Sequence, residues 1–192
     1  MSYANDRTYL DADSHLMELP DFLTAHADST IRDRIPQIDF DAGGRSSDSW
    51  REAAKSGAHS PEKVAELVAL GDGLIAGPKG YYALGAFNKD ERRIALDLLG
   101  FDQQFIFSTF SAPIAFDPKA DLDLRYGTTR AHNRAMADFC SDDPRLIGVA
   151  LLPLDEPGAT MKELDFAIST GLEAVWVPHR PAGGGSCLLY TS

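Results

Sequence analysis

The sequence predicts an α/β protein in which parallel strands alternate with helices. Segments 146–152 and 174–177 are short and almost unbroken apolar runs, the pattern of strands that are buried on both faces. The intervening segments carry apolar residues at helical spacing and begin with capping residues. Strands that alternate with helices form a parallel sheet covered by helices, which is either doubly wound or closed into a (β/α)8 barrel.

Segment 9–15 is the first predicted strand, and it carries three ionisable side chains. Because strand side chains alternate between two faces, Asp11, Asp13 and His15 are predicted to share one face. A divalent cation would compensate the cost of burying them, since carboxylate oxygen and imidazole nitrogen both bind zinc and similar metals. Asp13 and His15 could ligate one ion together. The alternative is a polar strand face that simply meets water.

An irregular region without clear periodicity follows, from about residue 24 to residue 86. Within it, Ser60 and Pro61 predict the start of a short helix, as capping residue and first helical residue. The glycine-rich stretch 71–85 contains neither of the glycine motifs that bind nucleotide phosphates. We therefore predict an ordinary flexible loop there.

A regular pattern begins at Asn88, which forms a capping-box-like start together with Glu91. Gly100 predicts the end of that helix. A strand rich in Phe and Ile is predicted over 104–110, and a long helix over 122–139.

The last predicted helix begins at Pro157 and ends at Gly171, between strands 146–152 and 174–177. Its apolar spacing predicts an inward face made of Met161, Leu164 and Ile168. Chemistry gathers at the carboxyl ends of parallel strands in both candidate folds. His179 and Arg180 follow the fourth strand, so we expect them at the same edge of the sheet as the end of the first strand.

Three other histidines are predicted to lie at the surface. His26 and His59 have polar sequence neighbours, and His132 stands between Arg130 and Arg134 in a predicted helix. We interpret the helix face of His132 as solvated.

The composition argues against two classes of partner. The formal net charge is −11, with 29 acidic and 18 basic residues, which disfavours binding to nucleic acid or to anionic membrane. No apolar run is long enough to span a bilayer, and segment 1–8 lacks the apolar core of a signal peptide. Two cysteines, Cys140 and Cys187, make no disulfide framework. We therefore expect a cytoplasmic protein that binds a small molecule.

The segment Asp-Ala-Asp-Ser-His-Leu-Met-Glu at 11–18 resembles the opening of amidohydrolase family 2. This family contains the relatives of aminocarboxymuconate-semialdehyde decarboxylase and of γ-resorcylate and 5-carboxyvanillate decarboxylases. The resemblance covers most of residues 8–182, and segment 24–86 is poorly matched. The further segments that carry it are 98–102, Asn133, 143–146, 151–153, 163–164 and 171–172.

The resemblance implies a metal-dependent (β/α)8 barrel of which only about the first four βα units are present, so that 1–186 would be its N-terminal half. Asp13 and His15 are the implied ligands of one divalent metal ion, zinc or manganese, with zinc favoured. The remaining ligands and the catalytic acid and base are expected in later strands. The implied role of His179 and Arg180 is substrate binding, where a cation could pair with a carboxylate. The alternative is that both face water in a loop.

The last six residues, 187–192, read Cys-Leu-Leu-Tyr-Thr-Ser. This is the translation of TGT CTC TTA TAC ACA TCT, the end of a transposon adaptor used to prepare sequencing libraries. We therefore expect that 187–192 is adaptor read-through and that the natural protein is longer. Two ligands rarely hold a metal tightly where three or four are used, so we expect the 192-residue chain to be inactive by itself.

The resemblance implies a metal-dependent hydrolase or a non-oxidative decarboxylase of a small carboxylated or cyclic substrate. Asp13 and His15 would serve both reactions in the same way, so the sequence does not separate them. A non-catalytic binding relative of the same barrel is the alternative, and a homo-oligomer of the full-length protein stays open. A doubly wound nucleotide-binding protein is a third reading, which the missing phosphate loop disfavours.

Overall fold

A computed structural model of the chain describes residues 7–38 and 54–179. Within these ranges four strands form one parallel sheet in the order β1-β2-β3-β4. Strands that are neighbours in sequence are therefore neighbours in the sheet, as in a (β/α)8 barrel, whereas the strand order reverses in a doubly wound sheet. The parallel α/β prediction is confirmed, and the sheet fits part of a barrel. The strands are β1 Leu10–Leu16, β2 Gln103–Ser108, β3 Leu146–Leu151 and β4 Ala174–Trp176.

Several α-helices accompany these strands, and within residues 7–38 and 54–179 no helix is long and apolar enough to cross a membrane. The α-helices are α1 Phe22–His26, α2 Pro61–Val68, α3 Lys89–Leu99, α4 Ser111–Ala115, α5 Leu122–Cys140 and α6 Pro157–Ser169. Short 3-10 helices cover Arg32–Arg34, Gly71–Ala76 and Gly80–Tyr82. The prediction of an ordinary loop over 71–85 was therefore wrong for most of that stretch.

The predicted helix boundaries are confirmed where capping residues marked them. The Ser60 hydroxyl accepts the Lys63 N–H, directly before α2. The Asn88 side chain accepts the N–H groups of the first turn of α3. At the other end of α3, Gly100 takes the left-handed conformation with φ of 73°. A residue with a Cβ would be strained there, which is why a glycine ends the helix.

The main core lies between one face of the sheet and the helices α2, α3 and α5. Its centre is almost fully buried and consists of Leu16 of β1, Ile106 of β2, Leu96 of α3 and Met136 of α5. Gly148 of β3 allows α5 to approach the sheet closely, because a Cβ at this position would lie 3.0 Å from Met136 Cγ. Strands β1 and β2 are thus tightly packed on this face of the sheet.

The buried face of α6 differs from the predicted one. Met161 and Ile168 are 53% and 64% exposed, whereas Thr160, Glu163 and Ala167 are buried. The polar members of this buried face have partners on α5: Arg130 pairs with Glu163, and Tyr126 with Thr160. Hydrophobic spacing alone misplaced the face because the interface between α5 and α6 is partly polar.

Candidate metal centre

A β-bulge in β1 separates Asp11 from the other two ionisable residues of the strand. Asp11 is in register with Gln104 and Ser14 with Ile106, and the register shifts between Asp11 and Ser14. Because Gln104 and Ile106 are two residues apart, Asp11 and Ser14 lie on the same face of the sheet. His15 pairs with the following residue of β2 and therefore faces the other way. The prediction that Asp11 shares a face with His15 was wrong.

Asp13 and His15 do lie together at the end of β1. The His15 Nε2 atom is 3.4 Å from the Asp13 Oδ1 atom. The Asp13 side chain is 93% exposed and that of His15 is 43% exposed. Both polar atoms can thus be reached from the same side of the sheet. The structure brings this predicted pair together.

The ring of His15 is oriented by the end of β2. Its Nδ1 atom lies 3.1 Å from the carbonyl oxygen of Ser108, which can only accept, so Nδ1 carries the proton. The other ring nitrogen, Nε2, then faces Asp13. Metal-binding histidines in proteins commonly have this arrangement, in which a carbonyl or carboxylate holds the second ring nitrogen. The ring also contacts Phe107, with 5.8 Å between the ring centroids.

The distance between the two polar atoms is compatible with a shared metal ion. Hydrogen bonds between nitrogen and oxygen are mostly shorter, about 2.7–3.2 Å. Two ligands of a tetrahedral zinc at about 2.0–2.1 Å are separated by about 3.3–3.4 Å. The 3.4 Å separation of Asp13 Oδ1 and His15 Nε2 matches this value. Across residues 7–38 and 54–179, no group of three or more His, Cys, Asp or Glu side chains could hold a metal. The pair could therefore supply at most two ligands, which would be an incomplete set.

Arg92 of α3 fixes the backbone of β1 next to this pair. Its guanidinium donates to Gly85 O at 2.6 Å, to Ser14 Oγ at 2.7 Å and to His15 O at 2.8 Å. Burial lowers the pKa of Arg92 to about 10, and nearby Asp11 opposes that shift. The guanidinium is therefore still charged at neutral pH. The guanidinium lies on the helix-covered side of the sheet and fixes the backbone of the segment that carries His15.

Glu18 belongs to the motif at 11–18, but the sequence assigned no role to it. In the structure it is a buried residue of the candidate site. Its side chain is fully buried, and its carboxylate accepts hydrogen bonds from the segment after β2. The donors are the N–H groups of Thr109, Phe110 and Ser111 and the Ser111 hydroxyl. A lone glutamate between Leu16 and Leu19 is a sequence signal that could have pointed to it.

A cleft of about 400 Å³ opens between the segment after β2 and the end of β4, whereas Asp13 and His15 line a separate cleft of about 260 Å³. Trp176 lines the larger cleft and meets Phe116 edge-on, with 6.3 Å between ring centroids. Thr109 also lines the cleft, and its hydroxyl is 3.4 Å from His15 Nδ1. His179 is exposed and also lines the cleft, so the structure brings it to the same end of the sheet as His15. Arg180 lies outside the described residues.

Two of the three histidines predicted at the surface are buried. The side chain of His59 is 6% exposed and forms an ion pair with Glu91. His132 is fully buried on α5, where burial lowers its pKa to about 4, and its Nε2–H donates to Val149 O at 3.3 Å. Both predictions were wrong because the partners lie far away in the sequence. His26 is partly exposed, and its Nδ1 bonds to Phe22 O.

No family model and no curated protein sequence matches the chain. Its fold is similar to that of an amidohydrolase from Mycobacterium avium subsp. paratuberculosis K-10, known from a crystal structure. The TM-score is 0.64 at 20% sequence identity, over 93% of this chain and 51% of that protein. The chain is thus similar in fold to part of that structure and spans about half of its length.

Proposed function

We propose that the chain belongs to a metal-dependent enzyme of the amidohydrolase type, and that Asp13 and His15 contribute two of its metal ligands. The observation that carries this proposal is the 3.4 Å separation of Asp13 Oδ1 and His15 Nε2, together with the Nδ1 hydrogen bond of His15 to Ser108 O. The similarity of the fold to a solved amidohydrolase supports it. The proposed cofactor is a divalent metal ion, with zinc favoured over manganese.

A divalent ion bound at Asp13 and His15 would polarise a substrate carbonyl or carboxylate and lower the pKa of bound water. The chain's own contribution is to hold the ligands. Ser108 O keeps the proton of His15 on Nδ1, and Arg92 fixes the backbone that carries the histidine. The Asp13 carboxylate supplies negative charge next to His15 Nε2.

The substrate that we propose is a small carboxylated or cyclic molecule. The cleft between the ends of β2 and β4, which reaches His15 only through Thr109, has the size and the apolar, aromatic lining of a small-molecule site. Thr109 and His179 line it with the aromatic residues and could orient polar groups of such a ligand. We keep His179 and Arg180 as proposed substrate-binding residues, with Arg180 placed by the sequence alone.

The reaction is either hydrolysis or non-oxidative decarboxylation, and product analysis separates the two. The full-length protein encoded at this locus should be purified, loaded with zinc or manganese, and assayed for CO2 release and for cleavage of esters, amides and lactones. We expect metal-dependent turnover in one of these assays. Failure of the loaded protein in every assay, with bound metal confirmed, would favour a non-catalytic binding protein with the same fold.

Variants of β1 provide the matched control for that assay. Loss of a residue that only orients a metal ligand costs about 10–100-fold in activity or metal affinity. Asp13→Asn and His15→Asn should each reduce turnover by more than that. Asp11→Asn changes the same kind of side chain but keeps the Oδ1 oxygen that accepts the Asp13 N–H, so it should reduce turnover much less than Asp13→Asn.

A further inference from the structure

Glu18 is a buried carboxylate with an unusual set of partners. Its side chain is fully buried, yet all of the hydrogen bonds described for its carboxylate come from uncharged donors. Three consecutive backbone N–H groups, of Thr109, Phe110 and Ser111, point at the two carboxylate oxygens over distances of 2.9–3.1 Å. The Ser111 hydroxyl donates to the same group at 2.9 Å. A buried carboxylate with this many donors strongly constrains the segment that supplies them.

The segment that Glu18 holds is the one that orients His15. Ser108 provides the carbonyl that accepts from His15 Nδ1, and the next N–H along the chain, that of Thr109, is bonded to Glu18. The Thr109 hydroxyl donates to Leu16 O at 2.8 Å, which closes the connection between the ends of β1 and β2. A short chain of contacts therefore runs from Glu18 through Thr109 and Ser108 to the His15 ring.

We propose that Glu18 is the positioning residue of the metal pair: by clamping segment 109–111, it fixes the Ser108 carbonyl that selects the Nδ1–H tautomer of His15. This inference deepens the proposed function, since the Nε2 lone pair of His15 is useful only if it faces a ligand. The acceptor on Ser108 is its backbone carbonyl, so its position depends on how the backbone is held and not on the Ser108 side chain. The carboxylate is acceptor-only, which is what three converging N–H groups require.

The variant Glu18→Gln tests this role with almost no change of volume. Its amide NH2 would face N–H donors and could not accept from them, so segment 109–111 should shift away. In the metal-free chain, 15N NMR of the imidazole should then show His15 as a mixture of tautomers instead of a single Nδ1–H form. If the protein binds zinc, the affinity should fall by about 10–100-fold, as for other outer-shell losses.

Glu163→Gln is the matched control, because Glu163 is also a buried carboxylate but bonds to Arg130 on the far side of α5. It should lower stability and leave the His15 tautomer unchanged. An equal change of the His15 ring in both variants would mean that general destabilisation is the cause, and would overturn the proposal. An unchanged Nδ1–H tautomer in Glu18→Gln would overturn it as well.

A measurement on the unmodified protein covers the case in which Glu18→Gln fails to fold. The amides of Thr109, Phe110 and Ser111 should exchange with solvent as slowly as those of the sheet, because all three donate to a buried acceptor. Fast exchange at these three residues would contradict the clamp. The tautomer and exchange experiments need no metal, so absence of zinc binding would overturn the proposed function and leave the positioning role of Glu18 standing.

Discussion

His59 and Glu91 form a two-point contact between the irregular region and helix α3. The Nδ1 atom of His59 lies 2.6 Å from one oxygen of Glu91, and the backbone N–H of His59 donates to the other at 2.7 Å. The second ring nitrogen, Nε2, lies 2.8 Å from the carbonyl oxygen of Tyr81. Both partners of the ring only accept, so the geometry fits an imidazolium that donates from both nitrogens.

The pKa values of the pair shift in the directions that this contact requires. Burial alone would lower the pKa of His59, but the hydrogen bonds to Glu91 and Tyr81 outweigh it and the pKa is raised above 6.5. Burial alone would raise the pKa of Glu91, but the bonds from His59 outweigh it and the pKa falls below 4.5. The stabilisation from His59 is therefore full below 6.5 and disappears as the pH rises through its raised pKa. The stabilisation from Glu91 is full above 4.5 and disappears as the pH falls through its lowered pKa.

We therefore expect the pair to stabilise the protein most between pH 4.5 and 6.5. Within that window His59→Gln should cost about 3–5 kcal/mol, because it leaves the buried Glu91 carboxylate without its cation. Urea unfolding of both proteins over a pH series gives the difference. A difference that stays constant from below pH 4.5 to well above 6.5 would contradict the ion pair.

Gly85 should tolerate no side chain. Its φ is +74°, and a Cβ at this position would lie 2.4 Å from the Cα atom of Arg92. Gly171 is the matched control, since it has φ of +84° but nothing within 4 Å of the added Cβ. Gly171→Ala should cost about 1–2 kcal/mol for backbone strain. Gly85→Ala should cost about 1–3 kcal/mol more for the steric clash. Thermal unfolding of the two variants tests the ranking, and equal losses would disprove the close contact.

Asn133 should be essential for the end of β3. Its side chain is fully buried and bonds to both backbone groups of Leu151, donating to the carbonyl at 3.1 Å and accepting the N–H at 2.8 Å. Asn133→Ala leaves two buried backbone groups unpaired, at about 1–3 kcal/mol each. By contrast, Thr129 on the same helix is buried and has no hydrogen-bond partner for its hydroxyl within the described residues. Thr129→Val should therefore leave the free energy of unfolding, measured with denaturant, nearly unchanged. A loss of stability as large as that of Asn133→Ala would contradict the role assigned to the Asn133 hydrogen bonds.

The sequence predicts the alternation of strands and helices well, because local signals encode it. Asn88 and Gly100 bound α3 by capping and by a left-handed turn, and neither effect needs the rest of the chain. The bulge in β1 was missed because strict alternation was assumed, and Ala12 and Asp13 give no turn signal that would break it. Asp13 and His15 could be proposed as metal ligands from the sequence because they are only two residues apart in one strand.

The buried polar contacts could not be predicted, because their partners come from distant segments. His59 has polar sequence neighbours and resembles a surface residue until Glu91, 32 residues further along, is packed against it. Glu18 likewise depends on N–H groups that lie more than 90 residues away. Tertiary structure, and not local composition, decides whether such residues are buried.

Zinc titration of the chain, followed at the His15 ring nitrogens by 15N NMR, is the most direct test of the metal site. We expect a weak but saturable shift of Nε2, which Asp13→Asn weakens and Asp11→Asn leaves unchanged, because the bulge puts Asp11 on the other face of β1. No shift at His15 Nε2, or equal effects of the Asp13 and Asp11 substitutions, would contradict the assignment of Asp13 and His15 as metal ligands.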